Sequence, residues 1–192
     1  MRELSTRREA GMSMIELMIA MLVLAIGLGA LSSLFVLASG TDNKNSKGTS
    51  AALLAHMMIE QISAQSANSS ANMVITDCQG NQWVVATAGA PAPNGAGALL
   101  VTNSASPYYG GIDPAQNFAT VTAGYGMLYV DCAVNGRQAT YDVRWNVLDM
   151  DTSGTTVFTR QVRVAAKPKG TTAANSFLLP ITLRGVAAVA EN

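Results

Sequence analysis

The chain has 192 residues, with twelve basic and twelve acidic side chains, so its formal net charge is zero. That balance supplies no electrostatic pull toward nucleic acid or an anionic membrane surface, and no clear nucleic-acid site is expected. Charged residues are only 12 % of the chain, low for a soluble domain.

Residues 1–11 carry Arg2, Arg7 and Arg8 ahead of the first apolar run. Positive charge on that side holds the N-terminus in the cytoplasm and sends the C-terminal part out. From Leu17 to Thr41 there is no charged residue, a run of 25. A helix of that length crosses a bilayer at ~1.5 Å per residue. One acid, Glu16, stands at the edge of the run. A carboxylate there is costly unless it stays among headgroups or meets a cation, so Glu16 reads as a functional residue. Two plainer readings stay open: a secretory signal cut near Ala38-Ser39-Gly40, and a simple signal anchor. Neither explains Glu16.

Gly11-Met12-Ser13-Met14-Ile15-Glu16, followed by the long apolar helix, resembles the N-terminus of type IV pilins and pseudopilins. Those proteins share a Gly before a cleavage point and a Glu five residues after it. The continuation Ala25-Ile26-Gly27-Leu28-Gly29-Ala30-Leu31 is similar to minor pilins often called PilV-like. Met12 stands where the family usually has Phe, and Met14 where Leu is common. Ser33 stands where many major pilins have a helix-bending Pro, a departure that bears on any reading as the bulk filament subunit. The specific likeness covers about 30 residues.

The resemblance implies an α+β, pilin-like fold, a long N-terminal helix packed on an antiparallel sheet. It divides the chain into a leader at 1–11, a transmembrane and filament-core helix at 12–40, the second half of that helix at 41–66, and a β-rich periplasmic or extracellular head at 67–192. Cleavage by prepilin peptidase between Gly11 and Met12, N-methylation of Met12, and an assembly contact at Glu16 come with it. The mature chain would hold nine basic and ten acidic residues, since Arg2, Arg7, Arg8, Glu3 and Glu9 leave with the leader. The implied partners are other pilins through the N-terminal helix, the inner-membrane assembly platform and membrane lipid. The implied role is priming, tip or accessory subunit of a pilus for motility, adhesion or DNA uptake. A type II secretion pseudopilin shares the N-terminus, and a membrane-anchored binding domain that never polymerises is the reading of another class.

Within the helix, Met21, Ala25, Gly29 and Ser33 recur on one face, a row of mostly small side chains that lets helices approach closely in lipid. Residues 41–48, TDNKNSKG, either mark the exit from the membrane or break the helix. Helical periodicity resumes at 51–65, with Ala51, Leu54, Ala55, Met58, Ile59 and Ile62 on one stripe and His56, Glu60 and Ser63 facing away. His56, the only histidine, is expected on the solvent side.

Strands are expected at 73–76 and 83–87. Two loop-rich regions follow, 88–98 and 102–117, whose aromatics Tyr108, Tyr109, Phe118 and Tyr125 either pin the loops to the sheet or form a contact surface. Asn135-Gly136 between alternating runs predicts a two-residue type I′ hairpin. That turn sets Cys132 opposite Ala139, Val130 opposite Tyr141 and Leu128 opposite Val143, all on one apolar face that Trp145 and Val147 extend; a one-residue slip would mix the two faces, so this register is expected to be well specified. Asp149 to Gly154 begins like a calcium loop, but position twelve is Arg160, so a turn into a strand at 156–166 is expected instead. There Phe158, Val162 and Val164 share a face. A last strand at 176–184 contains Pro180, which places it at an edge or bulge. Arg137, Arg144, Arg160 and Arg163 offer a basic strip, against which Asp142 beside Arg144 reads as balanced surface charge.

Cys78 and Cys132 both follow the membrane segment. In an oxidising compartment they pair, closing a loop of about 55 residues worth roughly 4 kcal/mol by the chain-entropy account; two separate buried thiols are the alternative. No Gly-rich phosphate loop, CxxC pair, His cluster or Ser-centred nucleophile motif is found, so no enzyme, cofactor or metal site is expected.

Overall fold

A computed structural model describes residues 12–132, 138–153, 156–170 and 180–188. The chain divides into two compact units, Met1–Asn43 and Lys44–Asn192. The boundary falls inside one helix, α1, which runs without interruption over Met14–Ser63. The polar stretch 41–48 therefore does not break the helix. Thr41 and Thr49 turn their hydroxyls onto the carbonyls of Leu37 and Asn45, so neither competes with the helical ladder.

In the second unit the last turns of α1 pack on a sheet. Ala51, Leu54, Ala55, Met58 and Ile62 are buried, as the apolar stripe requires, and Ile59 is half-buried beside them. His56 lies on the opposite, exposed face with Nδ1 3.3 Å from Glu60 Oε1, the neighbour one turn on.

Strands β1 (Met73–Thr76) and β2 (Gln82–Val85) form a two-stranded antiparallel sheet. The main sheet is built on β6 (Gln138–Ser153). One side of β6 pairs along its length with β7 (Thr156–Lys169), which pairs in turn with β8 (Ile181–Ala188). The other side is shared in sequence by β5 (Gly126–Cys132), β4 (Ala96–Gly97) and β3 (Ala90–Pro91). All pairings are antiparallel except β3 with β6, so the sheet is mixed by two residues. A 3-10 turn, Phe118–Thr120, precedes β5.

The helix-facing side of the sheet carries Met127, Tyr141, Val143, Trp145, Val147, Val162, Val164 and Ala166, all buried. Alternation on β6 and β7 placed these residues correctly, except that Phe158 is 43 % exposed near the strand end. The register of β5 differs from expectation by one residue. Cys132 lies opposite Gln138, Tyr129 opposite Tyr141, and Met127 opposite Val143. Five residues separate Cys132 from Gln138, so the connection is odd-numbered where a two-residue turn requires an even one. Asn135 and Gly136 lie outside the described residues. The slip is physically permitted because both faces of residues 127–130 are apolar. Burying Met127 rather than Leu128 puts the longer side chain under the helix.

Strand β6 continues past Val147 to Ser153 with an irregularity at Asp149 to Thr152, and Arg160, the residue that ruled out a calcium loop, is the cross-strand partner of Asp149. Strand β8 starts after Pro180 and lies at the edge of the sheet; residues 176–179 lie outside the described residues. The edge placement agrees with Pro180, which has no N–H to give a ladder.

The other face of the sheet is also covered. Asp142, Arg144, Asn146 and Leu148 alternate with the core residues and are 6, 5, 1 and 4 % exposed. Loop residues lie over them: Ala98 and Ile112 pack on Ala165, with Leu100 and Val121 alongside. Long loops carry backbone polar groups that need partners. Sheet side chains supply them. Asn146 Nδ2 donates to the carbonyls of Asn94 (2.8 Å) and Ala98 (2.9 Å). Trp145 Nε1 donates to Ala86 (2.9 Å) and the Tyr125 hydroxyl to Ala88 (2.6 Å).

Candidate functional site

In the first unit, Met12 and Ser13 precede the helix and Glu16 lies in its first turn. The N–H groups of Glu16 and Leu17 donate to the Ser13 carbonyl at 3.0 and 3.2 Å. Ser13 and Glu16 stand at the spacing of a capping box, a start signal the sequence reading passed over. The positive end of the helix dipole favours a carboxylate at this turn. Residues 1–11, with Gly11, lie outside the described residues.

Every residue from Met12 to Ser46 is exposed. Met14 is 84 % and Phe35 74 % exposed, and the large apolar side chains between them are open in the same way. Apolar exposure on this scale marks a surface made for lipid or for another protein. The helix is long and apolar enough to span a bilayer. Two of its hydroxyls are internally satisfied: Ser32 donates to the Leu28 carbonyl and Ser33 to that of Ala30, both at 2.8 Å. That removes the cost of carrying them in hydrocarbon. Gly27 and Gly29 have open space where a side chain would project, so a neighbouring helix can come close to the backbone there.

In the head, Cys78 and Cys132 form a disulfide with Cα atoms 6.0 Å apart. It joins the turn between β1 and β2 to the end of β5. The turn is shaped by Asp77, whose carboxylate accepts from the N–H groups of Gln79 and Asn81 and from the Asn81 amide, each at 2.9 Å. Burial alone would raise the Asp77 carboxyl; these hydrogen bonds outweigh it and hold the group below the usual carboxylate range.

The arginines do not form the surface strip that their spacing suggests. Arg144 is buried in a bidentate pair with Asp142 (2.7 and 2.6 Å), donates to the Gln116 carbonyl (2.6 Å), and lies 5.6 Å from the Phe118 ring centre. The pair is interior, not balanced surface charge, because the loop after β4 covers that face. Arg160 is buried against Asp149 (2.9 Å) and the carbonyls of Ser69 and Thr87. Arg137 lies outside the described residues. The loop aromatics divide. Tyr125 is buried and Phe118 half-buried against the sheet, whereas Tyr108 and Tyr109 stay 37 and 58 % exposed.

Residues 6–32 match the family described as the prokaryotic N-terminal methylation motif. The match includes Gly11, Met12, Glu16 and the first part of the apolar run. It supports a type IV pilin or pseudopilin precursor, anchored in the membrane before assembly and a structural subunit rather than an enzyme. No curated protein and no solved structure matches the chain significantly.

Proposed function

We propose that this protein is a minor type IV pilin. The observation that carries the reading is the methylation motif at 6–32, set at the start of an exposed apolar helix long enough to span a bilayer. In this reading the segment 1–11 is a cytoplasmic leader, and prepilin peptidase cuts between Gly11 and Met12. Cleavage frees a cationic amine on Met12, which is then methylated. The head, 67–192, lies in the periplasm until the subunit moves from the inner membrane into a pilus.

Assembly takes the apolar helix from lipid into a packed helical core. Glu16 then enters a medium in which an unpaired carboxylate is strongly disfavoured. The Met12 amine, a neighbour's or its own, offsets that charge and sets the register of one subunit on the next. Ser33, where a helix-bending Pro is common in bulk subunits, supports an accessory or priming role.

The test is mass spectrometry of the N-terminus of protein purified from its host. A mature chain beginning with N-methylated Met12 is expected. Cleavage near Gly40, or an intact leader, overturns the reading. A secretion-system pseudopilin would be processed identically; recovery in sheared surface filaments separates the pilin from it.

A further inference from the structure

The pairing of β7 with β8 sets Arg163 directly opposite Arg184. Like charges at opposed positions destabilise a sheet, and among the described residues no carboxylate pairs with either. Their partners are neutral. Arg163 Nε and Nη2 both donate to Gln161 Oε1 (2.8 and 2.6 Å), and its Nη1 donates to the Gly110 carbonyl. Arg184 Nη2 reaches the same carbonyl at 3.3 Å. Among the described residues, these bonds use four of the ten guanidinium N–H groups.

The two arginines line a groove of about 500 Å³ with Pro93, Leu100, Thr102 and Tyr109. A second groove of about 260 Å³ lies on the other side of the Tyr108–Gly111 turn, and Tyr109 and Arg184 line both. Volumes of this order suit a small ligand. Burial holds the Arg163 guanidinium below its ordinary range, and the charge of Arg184 lowers it further. An anion in the groove would offset the repulsion between the two guanidinium charges and favour the charged form of Arg163.

We propose that this groove binds an acidic saccharide, a sugar ring bearing a carboxylate or sulfate, with the ring on Tyr109 and the oxyanion held by Arg163 and Arg184. Fork-shaped guanidinium donors match a planar carboxylate or a sulfate edge. The walls mix apolar side chains with the Thr102 hydroxyl and one open tyrosine, which suits a ring with an apolar face and polar edges. A nucleic-acid backbone is a poorer fit: it is held by many phosphate contacts along a cationic track, and this chain has zero net charge with two arginines on the groove. A pure clamp on the Gly110 turn would need hydrogen-bond donors, not two charges with no carboxylate partner among the described residues. The inference holds whether or not the chain assembles into a filament.

The test is calorimetric titration of the full-length protein in detergent with four probes. These are an oligogalacturonate, its methyl ester, a heparin-derived oligosaccharide of matched length, and single-stranded DNA. One or both acidic saccharides should bind, more weakly as salt rises, and the methyl ester should not. Arg184→Gln, which keeps a donor for Gly110 but removes the charge, and Tyr109→Ala should each weaken binding about tenfold or more with an unchanged melting temperature. The proposal is overturned if neither acidic saccharide binds, if the ester binds equally well, if both variants bind like wild type, or if DNA binds more tightly than either saccharide.

Discussion

At Arg144 the sequence pattern and the environment point in opposite directions. An Asp-x-Arg on an alternating strand reads as a solvated pair, yet both side chains are buried and the guanidinium also holds the Gln116 carbonyl. Removing one partner leaves the other buried and unpaired, which costs about 3–5 kcal/mol. Arg144→Ala should therefore lower the urea midpoint of the full-length protein in detergent sharply. The double replacement Asp142→Leu with Arg144→Met should cost less than that single change, because no lone charge remains. A double variant as unstable as the single one would show that the pair is not the source of the loss. Asp77 gives a pH-dependent counterpart. Its folded pKa is depressed, so its contribution is present above the unfolded value of about 3.9 and is lost as pH falls through the lower folded value. In acid, the melting temperature of wild type should fall more steeply than that of Asp77→Asn. Parallel curves would remove Asp77 from the account.

Among the elements, α1 and β8 approach closely at Gly185. A Cβ on Gly185 would lie 2.6 Å from Ile59 Cγ2 and 3.2 Å from Ser63 Oγ. The methyl is a branch at Ile59 Cβ and cannot swing aside. Gly185→Ala should destabilise the head by about 1–3 kcal/mol, as overpacking does. Ile59→Ala in the same chain should recover part of that loss, and strictly additive effects would contradict the contact. The disulfide acts at the same scale. Cys78 and Cys132 are 54 positions apart, and opening that loop should cost roughly 4 kcal/mol by the chain-entropy account. Cys78→Ser with Cys132→Ser should melt well below the oxidised protein and match it under reductant. A wild type whose melting is unmoved by reductant would rule the bond out as a stabiliser.

For the molecule as a whole, the proposed pilin role predicts that insertion, processing and assembly separate at Glu16. Valine there makes the helix more compatible with lipid, so membrane insertion should be unharmed. Processing at Gly11 should continue. Assembly should fail or slow, because the Met12 amine of a neighbour would be desolvated without a counter-charge. Membrane fraction, N-terminal mass and recovery in sheared filaments measure the three steps in one strain. Glu16→Asp keeps the charge with a shorter reach and should fall between Val and Glu. Filament recovery of Glu16→Val at the wild-type level would remove Glu16 from the assembly contact.

Features recorded locally in the chain were legible without coordinates. The uncharged run from Leu17 to Thr41 and the stripe from Ala51 to Ile62 each show in residue spacing, because a helix repeats every 3.6 residues and a membrane excludes charge. The alternation on β6 and β7 showed which of their residues face the helix. The fate of Cys78 and Cys132 followed from topology, since both lie beyond the membrane segment. Tertiary structure decided what local spacing leaves degenerate. On β5 a one-residue slip is expected to mix the faces and so to be disfavoured, but residues 127–130 are apolar on both sides, and the packing of Met127 under the helix selects the slipped register. The burial of Asp142, Arg144 and Asn146 depends on a cover supplied by loops distant in sequence, as the Asn146 bonds to Ala98 and Asn94, 48 and 52 positions away, show. The meeting of Arg163 with Arg184 exists only through the register of β7 on β8. A strand's own alternation says which residues share a face; what lies across from that face is set by chain segments whose positions the alternation does not encode.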